Sequence, residues 1–131
     1  MPGRLSVEDR LEVMDLLARY CQAQDDGSPE DFLACFIPDA EMDVTYRIVS
    51  GAAEMRAFAD YFAAKPGRPW RHTLTTTSIQ GDAERCWARS YMIMFTRNAQ
   101  GQSQLSGHAD YFDECVKVDG RWLIAKHVVK I

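Results

Sequence analysis

Residues 70–97, WRHTLTTTSIQGDAERCWARSYMIMFTR, decide how this chain folds. HTLTTTSI is crowded with β-branched side chains, which suit a pleated, extended backbone better than a helix. Gly81-Asp82 interrupts it, and CWARSYMIMFTR then resumes the same character. The loop Asn98-Ala99-Gln100-Gly101 leads to a third such segment, LSGHADYFDECVKV at 105–118. Asp119-Gly120 is a hairpin signal, and RWLIAKHVVKI at 121–131 completes a fourth. Four β-prone segments joined by turns read as an antiparallel meander.

The residues before the meander read differently. Ser6, followed by Glu8 and Asp9, has the form of a helix N-cap with acids in the first turn, where the helix dipole favours negative charge. Leu11, Met14, Leu17, Ala18 and Cys21 follow at helical spacing. Asp25-Asp26-Gly27-Ser28-Pro29 stops that helix, and Pro29 suits the first turn of a short second one holding Phe32, Leu33 and Phe36. Ile37-Pro38-Asp39 predicts a turn, and Ala40 to Tyr46 a strand. After Gly51, Met55, Phe58 and Phe62 mark one face of a third helix, ended by Lys65-Pro66-Gly67-Arg68-Pro69. Helices first and then a run of strands is an α+β order, not an alternating βαβ one. The 131 residues suit a single domain over 1–131, with no repeat or linker in view.

Composition narrows the function. A formal net charge of -4, without a basic run, argues against nucleic acid as the main partner. No stretch approaches a membrane span, and MPGRLSVEDR lacks the apolar core of a signal peptide, so the expected setting is cytoplasmic. Cys21, Cys35, Cys86 and Cys115 are scattered, with no CxxC pair and no nearby His. Buried free thiols are therefore expected, and no metal site.

Four local motifs carry a family resemblance: RYCQAQDDG closing the first helix, FIPDAEMDV entering the first strand, RHTLT opening the meander, and DYFDECVKVDGRWLIAKH near its end. In this order and spacing the chain resembles the SnoaL-like branch of the nuclear transport factor 2-like superfamily, and the motifs span almost all of it. The resemblance implies an α+β cone, with three N-terminal helices packed on a strongly curved, mainly antiparallel sheet around a largely apolar pocket. Such a pocket suits a small hydrophobic molecule. Within the superfamily the likeness is to scytalone dehydratase, bile acid 7α-dehydratase and hexachlorocyclohexane dehydrochlorinase, which use an Asp–His pair to remove a proton and expel a leaving group. Their aspartate closes the first long helix, which matches Asp25, with Asp26 as its rival. Their histidine opens the meander, which matches His72. Tyr20 matches a tyrosine five residues before the aspartate in the bile acid enzyme. The pocket arginine of some relatives is replaced here by His127, a departure, because histidine is only partly charged near neutrality.

These residue types fit base-catalysed elimination. Histidine titrates near neutrality, and a carboxylate on its second ring nitrogen fixes the tautomer and stabilises the imidazolium. Asp25, His72 and Tyr20 are thus the expected catalytic residues, and no cofactor is implied. His127, Met92, Met94 and Tyr111 are the expected substrate-binding residues. Strand alternation puts Gly107, Ala109 and Tyr111 on the inner face, with Leu123, Ala125 and His127 together on one face and Trp122, Ile124 and Lys126 on the other. The function expected is a dehydratase-like lyase or isomerase for a cyclic carbonyl- or hydroxyl-bearing substrate. Two alternatives share the fold: a non-catalytic binding protein, and the structural β-type subunit of a ring-hydroxylating dioxygenase. An outer sheet face carrying Trp87, Arg89, Tyr91, Phe112 and Trp122 predicts a homodimer or homotrimer through the sheet.

Overall fold

Ser6 starts the first helix as expected. Its hydroxyl accepts from the Asp9 backbone N–H, while the Asp9 carboxylate accepts from the Ser6 N–H, closing a capping box ahead of α1 (Val7–Asp26). Ser28 and Asp31 repeat the device at α2 (Pro29–Leu33), which has Pro29 at its start. Phe36 falls outside that helix and instead begins β1 (Phe36–Asp43). A short β2 (Ile48–Ser50), unmarked by any alternation, precedes α3 (Gly51–Ala63). The meander follows as β3 (Trp70–Gly81), β4 (Arg85–Arg97), β5 (Ser103–Val118) and β6 (Arg121–Lys130). This computed structural model describes residues 2–131.

The six strands form one sheet in the order β2-β1-β6-β5-β4-β3, antiparallel throughout except where β1 runs parallel to β6. The helices cover its concave face. Val13, Leu16, Leu17 and Tyr20 from α1, Phe32 from α2, and Met55 and Phe58 from α3 are buried against Met42, Met92, Tyr111 and Ile124 from the sheet. The α+β cone expected from the sequence is the observed architecture.

Bulges bend the long strands and reset which side chains face inward. Between Thr75 and Ser78, β3 takes one residue more than β4, with Thr76 at φ 53°. On β6, Lys126 pairs with Glu114 but Ile124 with the next residue, Cys115, so Ala125 is the extra residue. That bulge corrects the expected faces of β6. Trp122 and Ile124 point inward with His127, at 3%, 0% and 0% exposure, and Trp122 is not on the outer face. On β5 the expected parity holds: Ala109 and Tyr111 are buried and His108 is exposed. The four cysteines are all free and buried, as expected.

Candidate active site

Asp25 sits one residue before the end of α1, and His72 sits two residues into β3. One carboxylate oxygen, Oδ1, lies 2.5 Å from His72 Nδ1, and the other, Oδ2, accepts the His72 backbone N–H at 3.0 Å. The two side chains are only 6% and 8% exposed. Both oxygens are thus used on one residue, which locks the ring. With the carboxylate on Nδ1, that nitrogen carries the proton and Nε2 presents its lone pair, the form a general base needs. Asp26 takes a different position, exposed and 4.0 Å from Arg71. The geometry therefore selects Asp25 as the partner of His72.

The register extends this pair into a concave wall. His72 lies across from Met94 and Leu74 from Met92, and β5 continues the face through Gly107 and Ala109. A Cβ built on Gly107, which pairs with Met94, meets no atom within 4 Å. His72 also borders a groove of about 360 Å3 between α1 and β3, lined by Met14, Leu17, Ala18 and Cys21 on one side and His72, Leu74 and Thr77 on the other. Its mostly apolar walls and single basic side chain suit a small hydrophobic ligand.

Tyr20 and His127 are not part of that pair. They belong to a second cluster deeper in the cone. His127 Nδ1 donates to Asp113 Oδ1 at 2.6 Å, and the Tyr20 hydroxyl lies 3.2 Å from His127 Nε2. Tyr111 stacks edge-on against the imidazole, with ring centroids 4.5 Å apart. Burial, above all other causes, raises the phenols of Tyr20 and Tyr111 well above their ordinary range, so both keep their protons. In the neutral imidazole the Tyr20 O–H then donates to Nε2, and both ring nitrogens of His127 have protein partners. Phe32 and Phe36 close over Tyr20 at centroid distances of 5.5 and 5.6 Å.

Asp113 is the functional-looking residue that the sequence reading missed. Its signal was present: it lies two residues after Tyr111 on β5, on the inward side of the alternation, where a carboxylate needs a partner. Its second oxygen, Oδ2, is buried without a hydrogen-bond partner among the described residues. Also among those residues, no three His, Cys, Asp or Glu side chains converge as a metal site would require.

The Asp25–His72 contact thus joins the end of the first helix to the start of the meander on a curved sheet covered by helices. Residues 5–128 match the SnoaL-like domain family model, so the chain belongs to that family. No curated protein matches it. Solved structures do. A protein of unknown function with a cystatin-like fold from Nostoc punctiforme is 25% identical, with a TM-score of 0.86 over 96% of this chain and 92% of that one. A protein of unknown function from Mycobacterium tuberculosis is 26% identical, with a TM-score of 0.84 over 95% and 77% of the two chains. A candidate scytalone dehydratase from Novosphingobium aromaticivorans shares the fold at 19% identity, with a TM-score of 0.79 over 94% and 83%.

Proposed function

We propose that this protein is a lyase or isomerase in which Asp25 and His72 act as a general-base pair on a small, hydrophobic, cyclic substrate bearing a carbonyl or hydroxyl group. The observation that carries the reading is the two-point contact of Asp25 on His72, nearly excluded from water and bordering an apolar groove. A carboxylate near a helix C-terminus meets the unfavourable end of the dipole, so its place there calls for a specific partner. His72 supplies one.

The chemistry follows from the tautomer. His72 Nε2 removes a proton from the carbon next to the substrate carbonyl, and the C–H electron pair becomes the enolate. Asp25 stabilises the imidazolium that forms. In a dehydration the enolate re-forms the carbonyl, the adjacent C–O bond breaks with its electron pair, and the imidazolium proton leaves with that oxygen as water. In an isomerisation the same proton returns at a different carbon. Positioned proton transfer of this kind contributes about 10²–10⁴-fold to a rate. Met92 and Met94 line the concave face beside His72 and would adapt to a flat apolar ring. Tyr20, His127 and Tyr111 act in this reading from behind, as a rigid polar floor to the wall that Met92 and Met94 form.

Soaking crystals with a panel of cyclic ketones and aromatic polyols tests the reading. Density beside His72 Nε2, with turnover in solution, is the expected result. Binding without turnover makes the protein a small-molecule carrier, and no binding at all beside His72 removes the proposal.

We also propose that copies of the chain associate through the outer face of the sheet. Trp87 and Tyr91 are 51% and 43% exposed there. Arg89 lies over the Tyr91 and Phe112 rings at 5.7 and 5.5 Å, and pairs with Asp110. This aromatic surface has both charges at hand for a self-complementary contact. Solution scattering should give a dimer or trimer, and a monomer at all concentrations would reject the interface. No helix among the described residues is long and apolar enough to cross a membrane.

A further inference from the structure

The segment leading into β3 touches the last turn of α1 at every second residue. Arg68, Trp70 and His72 each reach it, the last two by alternation along β3. Arg68 does so with a fork. Its Nη1 donates to the Gly27 carbonyl at 2.7 Å, and its Nη2 donates to the carbonyls of Gln24 at 2.8 Å and Ala23 at 3.1 Å. Trp70 Nε1 donates to the same Gln24 carbonyl at 3.3 Å. The Gln24 carbonyl is one that the helix end leaves without a backbone partner, the Ala23 carbonyl also accepts from the Gly27 N–H, and Gly27 caps the helix, so the fork sits at the partially negative end of α1. Asp25 lies at that end.

Arg68 holds φ at +36°, in the left-handed region that L-residues avoid. Such a backbone persists where the surrounding contacts over-determine it. Here those contacts all go to the α1 terminus. No other cation contacts these carbonyls among the described residues, and the helix has no basic residue in its own last turn.

We infer that Arg68 is the positioning residue of the Asp25–His72 pair: its fork fixes the last turn of α1 on β3 at the offset that puts both Asp25 oxygens on His72. The inference rests on the proposed role of that pair, but it concerns the pair's geometry and is readable without a substrate. A planar five-donor guanidinium can serve three carbonyls at once, whereas a lysine offers a point charge that cannot span them. The charge also offsets the negative helix end at which Asp25 sits.

The test uses the whole chain and proton NMR. A ring N–H proton held by a carboxylate resonates far downfield of the amides, so the protein should show two such signals, from His72 and from His127. Variants His72→Gln and His127→Gln assign them. In Arg68→Ala the His72 signal should broaden or move toward the amides while the His127 signal stays in place. Arg68→Lys should show the same selective change to a smaller extent. If a substrate is in hand, kcat should fall by about 100-fold in Arg68→Ala with KM little changed, as expected for a misplaced base. An unchanged His72 signal in Arg68→Ala overturns the inference. So does loss of both signals in Arg68→Lys as well as Arg68→Ala, since Arg68 would then support the whole fold. A selective loss of the His72 signal in a protein that turns nothing over supports the Arg68 role while removing the proposed reaction.

Discussion

Replacing His127 with Leu removes the central member of the buried Tyr20–His127–Asp113 cluster while keeping a similar side-chain volume. Asp113 and His127 are 1% and 0% exposed, and the Asp113 Oδ2 already lacks a partner. The substitution strips the partner from Oδ1 as well and leaves the Tyr20 hydroxyl without its acceptor. Leaving the buried Asp113 carboxyl without its donor costs about 3 kcal/mol or more, and an orphaned buried hydroxyl adds roughly 1–3 kcal/mol. A domain of this size has about 5–15 kcal/mol in all, so the single variant should stand near the limit of folding. The triple variant Tyr20→Phe, Asp113→Leu, His127→Leu removes every polar group together. Its expected cost is within about 2 kcal/mol of the parent, because replacing buried hydrogen-bonded partners together by apolar groups of similar shape is often nearly neutral. Urea unfolding of the parent, the single variants and the triple variant gives the numbers directly. Costs that simply add across the three positions would refute the reasoning, because additivity is the behaviour of independent sites.

Asp9 gives a pH prediction. Lys117 first, and then Trp122 and Ser6, hold its carboxyl well below the usual carboxylate range against the opposing effect of burial. A depressed folded-state value stabilises the protein above the unfolded value, near about 4, and the benefit is lost as pH falls toward the folded value. Asp9→Asn should therefore be less stable than the parent at neutral pH, with the gap narrowing below about pH 5; a constant gap in chemical denaturation across that range contradicts it. At Gly81, φ is +145° and an added Cβ would stand 2.3 Å from the Arg85 carbonyl oxygen. Gly81→Ala should cost well over 1 kcal/mol, whereas Gly101→Ala, also at positive φ but with nothing within 4 Å, should cost about 1 kcal/mol. Equal midpoints in urea for the two variants would count against this contrast.

Local punctuation carried most of the fold. Ser6 and the acids after it mark the start of α1, the Asp25-to-Pro29 run marks its end, and Gly81, Gly101 and Asp119-Gly120 separate the long strands. Those signals are chemical and act over a few residues, so a single sequence displays them. Ala125 shows where such reading stops. Nothing about an alanine between Ile124 and Lys126 announces a bulge; the extra residue is set by how β6 must curve between β5 and β1. One unpaired residue turns Trp122 from an outer-face side chain into a core one that donates to Asp9.

The candidate site divides in the same way. Asp25 and His72 were legible through their motifs, and Asp25 over Asp26 was decided only when β3 docked on α1. Tyr20 was legible as a residue but not in its partnership, because Asp113 and His127 lie far from it in the chain and meet it only through strand pairing. Arg68 reads in sequence as part of a helix-ending Lys-Pro-Gly-Arg-Pro segment. Its carbonyl contacts arise from tertiary docking alone.

Proton exchange is the most direct measurement of the central claim. Cyclic ketones that bind the protein are incubated in deuterated water, and loss of the α-proton signal is followed for the parent, Asp25→Asn and His72→Ala. The account predicts exchange by the parent and a fall of about 10²–10⁴-fold in His72→Ala, with ligand affinity nearly unchanged. Exchange that proceeds equally well without His72 would contradict it.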